Sequence, residues 1–134
     1  MALLIGVLLA LAIGIFGTIT RLDRDRAFYP TVMIVIALLY SLFAVIGGSE
    51  RALVIEALVG LGFIAVTVAG FRISLWLVVA ALAAHGVFDF FRGEAIHNPG
   101  VPIWWPSFCL SYDVVAAAYL AWLIKSGRIR AAAS

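Results

Sequence analysis

The stretch that decides the fold covers residues 73–124 and reads ISLWLVVAALAAHGVFDFFRGEAIHNPGVPIWWPSFCLSYDVVAAAYLAWLI. It contains two apolar runs, 73–91 and 107–124, separated by a connector rich in proline and tryptophan. Each run is long enough to cross the hydrocarbon core of a bilayer as a helix. An aspartate near the centre of such a helix costs about 2.5–3.5 kcal/mol on insertion scales, so the polar residues in these runs need partners.

The composition of the whole chain is that of an integral membrane protein. Hydrophobic residues make up 66% of the sequence and charged residues 12%, whereas soluble domains are about half apolar and a quarter charged. Further apolar runs at 2–20, 31–47 and 52–70 give five predicted spans, which must be helical because lipid cannot satisfy backbone polar groups. The predicted fold is an all-α bundle of five transmembrane helices, a single domain over 1–134 with a connector at 92–106.

The basic residues around these runs predict the topology. With the N-terminus outside and the C-terminus in the cytoplasm, seven of the nine basic residues lie on the cytoplasmic side, in agreement with the positive-inside rule. The cytoplasmic residues are Arg21, Arg24, Arg26, Arg72, Lys125, Arg128 and Arg130, and the outer ones are Arg51 and Arg92.

This placement also accounts for the net charge of +2, so the charge does not indicate a nucleic-acid partner. The single Cys109 excludes an internal disulfide. Asp23 and Asp25 are predicted to be solvated partners of the neighbouring arginines. The tail after Lys125 is predicted to be a frayed end.

Acidic residues inside the spans predict a polar cavity at one depth. Glu56, Asp89 and Asp113 lie within predicted helices, whereas no basic residue does. At 1.5 Å per residue, these carboxylates and His85 lie about 3–9 Å below the outer boundary. His85 and Asp89 are four residues apart and therefore share a helix face. We expect four helices to present polar groups to a cavity that opens outward.

Crowded carboxylates in a low-dielectric site cannot all carry a charge, and a protonated and an ionised carboxylate together form an acid–base pair. We therefore predict that Glu56, His85, Asp89 and Asp113 are catalytic. The same chemistry suits a divalent metal, with His85, Asp89, His97 and Asp113 as candidate ligands. Predicted substrate-binding residues surround them at Tyr40, Ser41, Arg92, His97, Asn98, Trp104, Trp105 and Cys109.

Other interpretations of the same residues stay open. The polar groups could form a hydrogen-bond network that only holds the helices together, or grip a partner, pigment or metal in a non-catalytic subunit. An ion or small-solute transporter is disfavoured, because the inner halves of the spans offer few polar side chains. Cys109 is interpreted first as a packing residue, and Trp104 and Trp105 as interface anchors. The small residues Gly6, Ala10 and Gly14 predict close helix packing, within the chain or in a homo-oligomer.

The segment LAAHGVFD at 82–89, followed by Asn98-Pro99, Pro106-Ser107-Phe108-Cys109 and Asp113, resembles an uncharacterised family of small bacterial multi-spanning membrane proteins. The resemblance covers the C-terminal third, supports the choice of site residues, and implies a location in the bacterial inner membrane. A looser similarity to membrane hydrolases of the alkaline ceramidase type is set aside, because those have seven spans and a three-histidine metal site. The predicted function is a membrane-embedded hydrolase or isomerase. Its substrate is predicted to be apolar or lipid-like and to enter from the outer leaflet or the periplasm.

Overall fold

The computed structural model of the protein describes residues 1–133, apart from the side chain of Glu94, and contains five α-helices within them. Four of these helices are long and apolar enough to cross a membrane, while the fourth along the chain has only 16 residues. The prediction of an all-helical protein with membrane-spanning segments is confirmed at this level. The helices are α1 (Ala2–Thr20), α2 (Phe28–Ile46), α3 (Glu50–Arg72), α4 (Trp76–Phe91) and α5 (Trp105–Lys125), with short 3₁₀ helices at Leu22–Arg24 and Arg92–Glu94.

Four helix starts differ from the predicted runs, those of α3 and α5 by two residues and those of α2 and α4 by three. Helix α2 begins at Phe28 rather than 31, with Pro30 in its first turn, where the missing N–H of proline is harmless. Helix α4 begins at Trp76 rather than 73, because residues 73–75 pair with the C-terminal tail instead. The Leu75 N–H donates to the Ala131 carbonyl at 2.9 Å, and the Ala133 N–H donates to the Ile73 carbonyl at 3.4 Å.

The expectation of a frayed tail is therefore wrong for residues 126–133. The Arg26 guanidinium holds this segment by donating to the carbonyl oxygens of Phe71, Arg130 and Ala131 at 2.7, 3.2 and 2.8 Å. Ile129 is buried against the helices. Arg26 thus satisfies the Phe71 carbonyl in the last turn of α3 together with two carbonyl groups of the tail. Asp23 is also buried rather than solvated, and it accepts a hydrogen bond from Thr18 at 2.6 Å.

The first and last helices are neighbours in the bundle. Helix α1 packs on α5, α5 on α4, α4 on α3, and α3 on α2. The contact between α1 and α5 is close because a Cβ at Gly6 would lie 2.5 Å from the Phe108 carbonyl oxygen. The small residues of α1 therefore serve packing within one chain. Those that are buried are Gly6, Ala10, Gly14 and Gly17.

Candidate functional site

A buried histidine lies between two buried aspartates where α4 and α5 meet. His85 Nδ1 is 2.8 Å from Asp113 Oδ2 and 3.2 Å from Asp89 Oδ2. Asp89 follows His85 by one helical turn, and Asp113 reaches the imidazole from α5. The helices approach closely because a Cβ at Gly86 would be only 2.9 Å from the Asp113 Cβ. We call His85, Asp89 and Asp113 the acidic cluster.

The acidic cluster has more acceptors than donors. Within residues 1–133, Asp89 Oδ2, Asp113 Oδ1 and the Tyr40 hydroxyl have no hydrogen-bond partner. The Asp89 and Asp113 side chains are 1% and 0% exposed. The Tyr40 hydroxyl and the Cys109 thiol border Asp89. Unsatisfied buried acceptors of this kind are costly, and they indicate that a proton or a ligand belongs in the cluster.

Aromatic rings fix the orientation of the His85 imidazole. The Phe63 ring meets it edge-on, with a centroid distance of 4.8 Å and an interplanar angle of 77°. On another side the Tyr40 centroid lies 6.3 Å away. The imidazole is therefore held by packing as well as by its aspartates. Phe63 has no polar group that would distinguish it from other apolar residues of the span, so sequence patterns do not identify it.

A second buried polar set anchors the connector to α2 and α3. Arg92 forms an ion pair with Glu56, and its guanidinium carbon lies 3.9 Å from the centroid of the Tyr40 ring. Asn98 Nδ2 donates to Glu56 Oε1 at 3.2 Å and to the Tyr40 carbonyl at 3.0 Å. Glu56, predicted as an acid or base beside Asp89, is thus the partner of Arg92. Tyr40 lies between this set and the acidic cluster.

An apolar groove between α1 and α2 leads to the acidic cluster. It has a volume of about 360 Å³, and α5 forms its floor. Leu9 on α1 and Val35 on α2 line its walls and are 41% and 54% exposed, so the groove is open at the side of the bundle. Cys109 and Asp113 line its floor. The wall residues went unrecognised in the sequence because apolar residues in a span carry no distinguishing pattern.

A smaller opening of about 120 Å³ lies under the connector. Tyr40, Arg92, His97 and Asn98 line it, together with apolar residues of the connector. Tyr40, which lines this opening, also borders the acidic cluster, so the opening lies on the Tyr40 side of the cluster. The two openings therefore differ in character, one apolar and lateral, the other polar and beside the connector.

The remaining predicted site residues lie outside the acidic cluster. The His97 imidazole is exposed and does not join the three groups, although it lines the connector opening. Ser41 is half-buried next to Tyr40 on α2. Trp104 is exposed, while Trp105 is half-buried, packs on Phe43 at 4.8 Å, and lines the groove.

No protein-family model, curated protein or solved structure matches this chain. The fold and the site therefore describe the class of protein. It is a bundle of long apolar helices suited to a membrane, with a His–Asp–Asp cluster buried between two helices.

Proposed function

We propose that this chain is a membrane-embedded enzyme that acts on an apolar, lipid-like substrate by acid–base chemistry at the acidic cluster. All five helices span the bacterial inner membrane in this proposal, with the N-terminus outside and the C-terminus inside. The main support for this proposal is the position of Asp113. Its carboxyl group contacts His85 at 2.8 Å, and the residue also lines the floor of the lateral groove.

The groove supports an apolar substrate. Because its mouth lies between α1 and α2, a molecule dissolved in the bilayer can enter without crossing water. Its volume of about 360 Å³ lies within the range of roughly 300–1,000 Å³ found for small-molecule sites. The walls offer no charge to a polar solute, and the Asp113 carboxyl group lies buried just beneath the floor. Apolar walls above one carboxyl group suit an apolar molecule that has one reactive polar group or double bond.

The cluster supports proton transfer. Two carboxyl groups share one imidazole nitrogen within hydrogen-bond distance, so one of them can hold a proton while the other accepts one. Asp113, on the groove side, is the group that exchanges a proton with the substrate, and His85 passes it to or from Asp89. Such a pair serves hydrolysis, isomerisation or cyclisation. Among these we favour hydrolysis, because polar side chains line an opening on the Tyr40 side of the cluster, apart from the apolar groove.

The alternative of an ion or solute transporter has less support. The half of the bundle away from the connector is filled by apolar side chains that are fully buried. A hydrated ion would have to displace this packing. Those side chains are Met33, Leu75, Val78 and Leu120.

The test uses the purified chain in lipid nanodiscs with a total lipid extract from a bacterial membrane, and mass spectrometry follows lipids that disappear or form. We expect Asp113→Asn to lower turnover about 10²–10⁴-fold, since it removes the proton-exchanging group. Asp23→Asn, a buried carboxylate far from the cluster, is the matched control and keeps wild-type turnover. Full turnover in Asp113→Asn contradicts the proposal.

A second pair of variants tests the groove itself. Ile13→Trp narrows the groove and is expected to reduce turnover. Leu58→Trp places the same ring on the exposed face of α3 and is expected to change nothing. Equal activity of the two variants argues against lateral entry.

A further inference from the structure

We infer that His85, Asp89 and Asp113 bind one divalent metal ion. The inference concerns the same cluster as the proposed function, but metal binding can be measured without any turnover. It follows from the charge, the geometry and the unsatisfied atoms of the cluster.

The charge of the cluster is uncompensated by nearby protein groups. Two aspartates converge on one imidazole, and all three side chains are buried. Arg92, the neighbouring cation, is already paired with Glu56, so it does not neutralise the aspartates. Burying two negative charges between apolar helices is strongly unfavourable. A neutral imidazole, two carboxylates and one dication together carry no net charge.

The geometry of the donor atoms suits a small cation. His85 Nδ1 is 2.8 and 3.2 Å from the two carboxylate oxygens, and the ligand atoms of the three residues lie within 4.8 Å of one another. Ligands at the usual zinc distances of about 2.0–2.1 Å in tetrahedral geometry are roughly 3.3 Å apart. The two separations from His85 Nδ1 are close to this spacing, and the carboxylates would have to draw together around a bound ion where the donor atoms are up to 4.8 Å apart.

The unsatisfied atoms are an independent sign of a ligand. Asp89 Oδ2 and Asp113 Oδ1 belong to carboxylates that are almost wholly buried, and among the described side chains neither atom has a hydrogen bond of good geometry, although His85 Nδ1 lies 3.2 Å from Asp89 Oδ2. A hydrogen-bond network that served only to join α4 and α5 would leave no such acceptors. A cation between the carboxylates satisfies both.

The donor set identifies the kind of ion. One imidazole nitrogen with two carboxylate oxygens suits Zn²⁺, Mn²⁺ or Fe²⁺, and excludes a preference for soft ions such as Cu⁺. Three protein ligands leave a coordination position open, as in catalytic zinc sites. An ion here would polarise a substrate oxygen or activate water, and it would replace the proton exchange assigned to Asp113, whose carboxylate would then be a ligand.

The experiment uses the full chain with an affinity tag that contains no histidine, purified in detergent, stripped with EDTA and titrated calorimetrically with Zn²⁺ and then Mn²⁺. We expect one equivalent to bind. Asp89→Asn and Asp113→Asn should each weaken binding by at least about 100-fold, because each removes a ligand. Asp23→Asn, which changes a buried carboxylate elsewhere, should bind like the wild type.

Folding of the variants is checked by their melting temperature without metal, which should not fall, because each asparagine removes a buried charge. Cobalt substitution of the wild-type chain gives a second measurement, since visible absorption reports a low-coordinate site. No binding at millimolar Zn²⁺ or Mn²⁺ overturns the inference, and so does unchanged binding in an Asp89→Asn/Asp113→Asn double variant. Metal binding without lipid turnover supports the inference and rejects the proposed function. Lipid turnover by a protein that binds neither ion supports the proposed function and rejects the inference.

Discussion

At the scale of single residues, the Glu56–Arg92 ion pair shows how the bundle buries charge. Both side chains are almost inaccessible, and they come from α3 and from the start of the connector. The guanidinium also lies over the Tyr40 ring at 3.9 Å, so the pair fixes the connector to two helices. A buried ion pair as a whole adds little to the stability of the folded protein. Removal of one partner is costly, because it leaves the other charge buried and unpaired.

We expect Arg92→Met to lower the free energy of unfolding by about 3–5 kcal/mol, because it strands the Glu56 carboxylate. Adding Glu56→Gln removes that charge and should recover a large part of the loss. The measurement is equilibrium unfolding in mixed micelles for the two single variants and the double variant. Additive effects, with no recovery in the double variant, contradict this reading of the pair.

The sequence predicts how deep each site residue lies along its helix, and the site was predictable to that extent. The four-residue spacing of His85 and Asp89 predicted one shared face, and the rise per residue placed Asp113 at a similar level. The same argument placed Glu56 there too, yet its carboxylate meets Arg92 rather than Asp89. Depth along a helix does not determine which neighbour a side chain faces. That depends on how the helices are arranged around the bundle, which these sequence patterns do not encode.

At the scale of elements, the small residues of α1 determine how closely it approaches α5. A Cβ at Gly6 would collide with the Phe108 carbonyl oxygen and the Ser111 hydroxyl. Neither can move without shifting the α5 backbone or breaking the hydrogen bond from Ser111 Oγ to its own helix at 3.0 Å. The packing of these two helices therefore depends on the absence of a side chain.

Gly6→Ala is expected to destabilise the protein by about 1–3 kcal/mol through overpacking. The matched control is Gly62→Ala on α3, where a Cβ meets nothing within 4 Å and where alanine should stabilise the helix by about 0.5–1 kcal/mol. Unfolding in mixed micelles measures both changes. Equal effects of the two substitutions would contradict the packing argument.

The tail provides a second prediction for an element. Arg26→Met removes three hydrogen bonds to carbonyl groups of α3 and the tail, so residues 128–133 should detach. Hydrogen exchange in the amides of Leu75 and Ala133 should accelerate by at least about tenfold, corresponding to roughly 1.4 kcal/mol. Arg24→Met, at a neighbouring arginine, should leave both amides protected.

The docking of the C-terminal tail was not predictable from the sequence, because an alanine-rich segment has no periodicity and its partners lie far away in sequence.

At the scale of the whole molecule, composition determined the class of fold and the hydrophobic runs determined the approximate extent of each helix. The groove, by contrast, arises from the way α1 and α2 diverge above α5. No single helix contains it, and its wall residues resemble any others that face lipid. Sequence patterns could therefore supply the helices but not the space between them.

The proposed topology can be tested in cells by cysteine labelling. Ile103→Cys, at a position 99% exposed in the connector, should react with an impermeant maleimide added from outside. Ser126→Cys, beyond the end of α5, should react only after the inner membrane is permeabilised. Cys109 is buried and should contribute little background. The opposite labelling pattern would mean that the orientation is inverted.

The neighbouring positions of α1 and α5 have a consequence for biosynthesis. The Thr18–Tyr119 hydrogen bond joins residues 101 positions apart. At translation rates of about 5–20 residues per second, roughly 5–20 s pass between the synthesis of the two residues. During that time the glycine face of α1 is exposed to lipid or to an insertion factor. A ribosome arrested before α5 emerges should therefore yield a nascent chain that crosslinks to the insertase through α1, and release of the completed chain should end that contact.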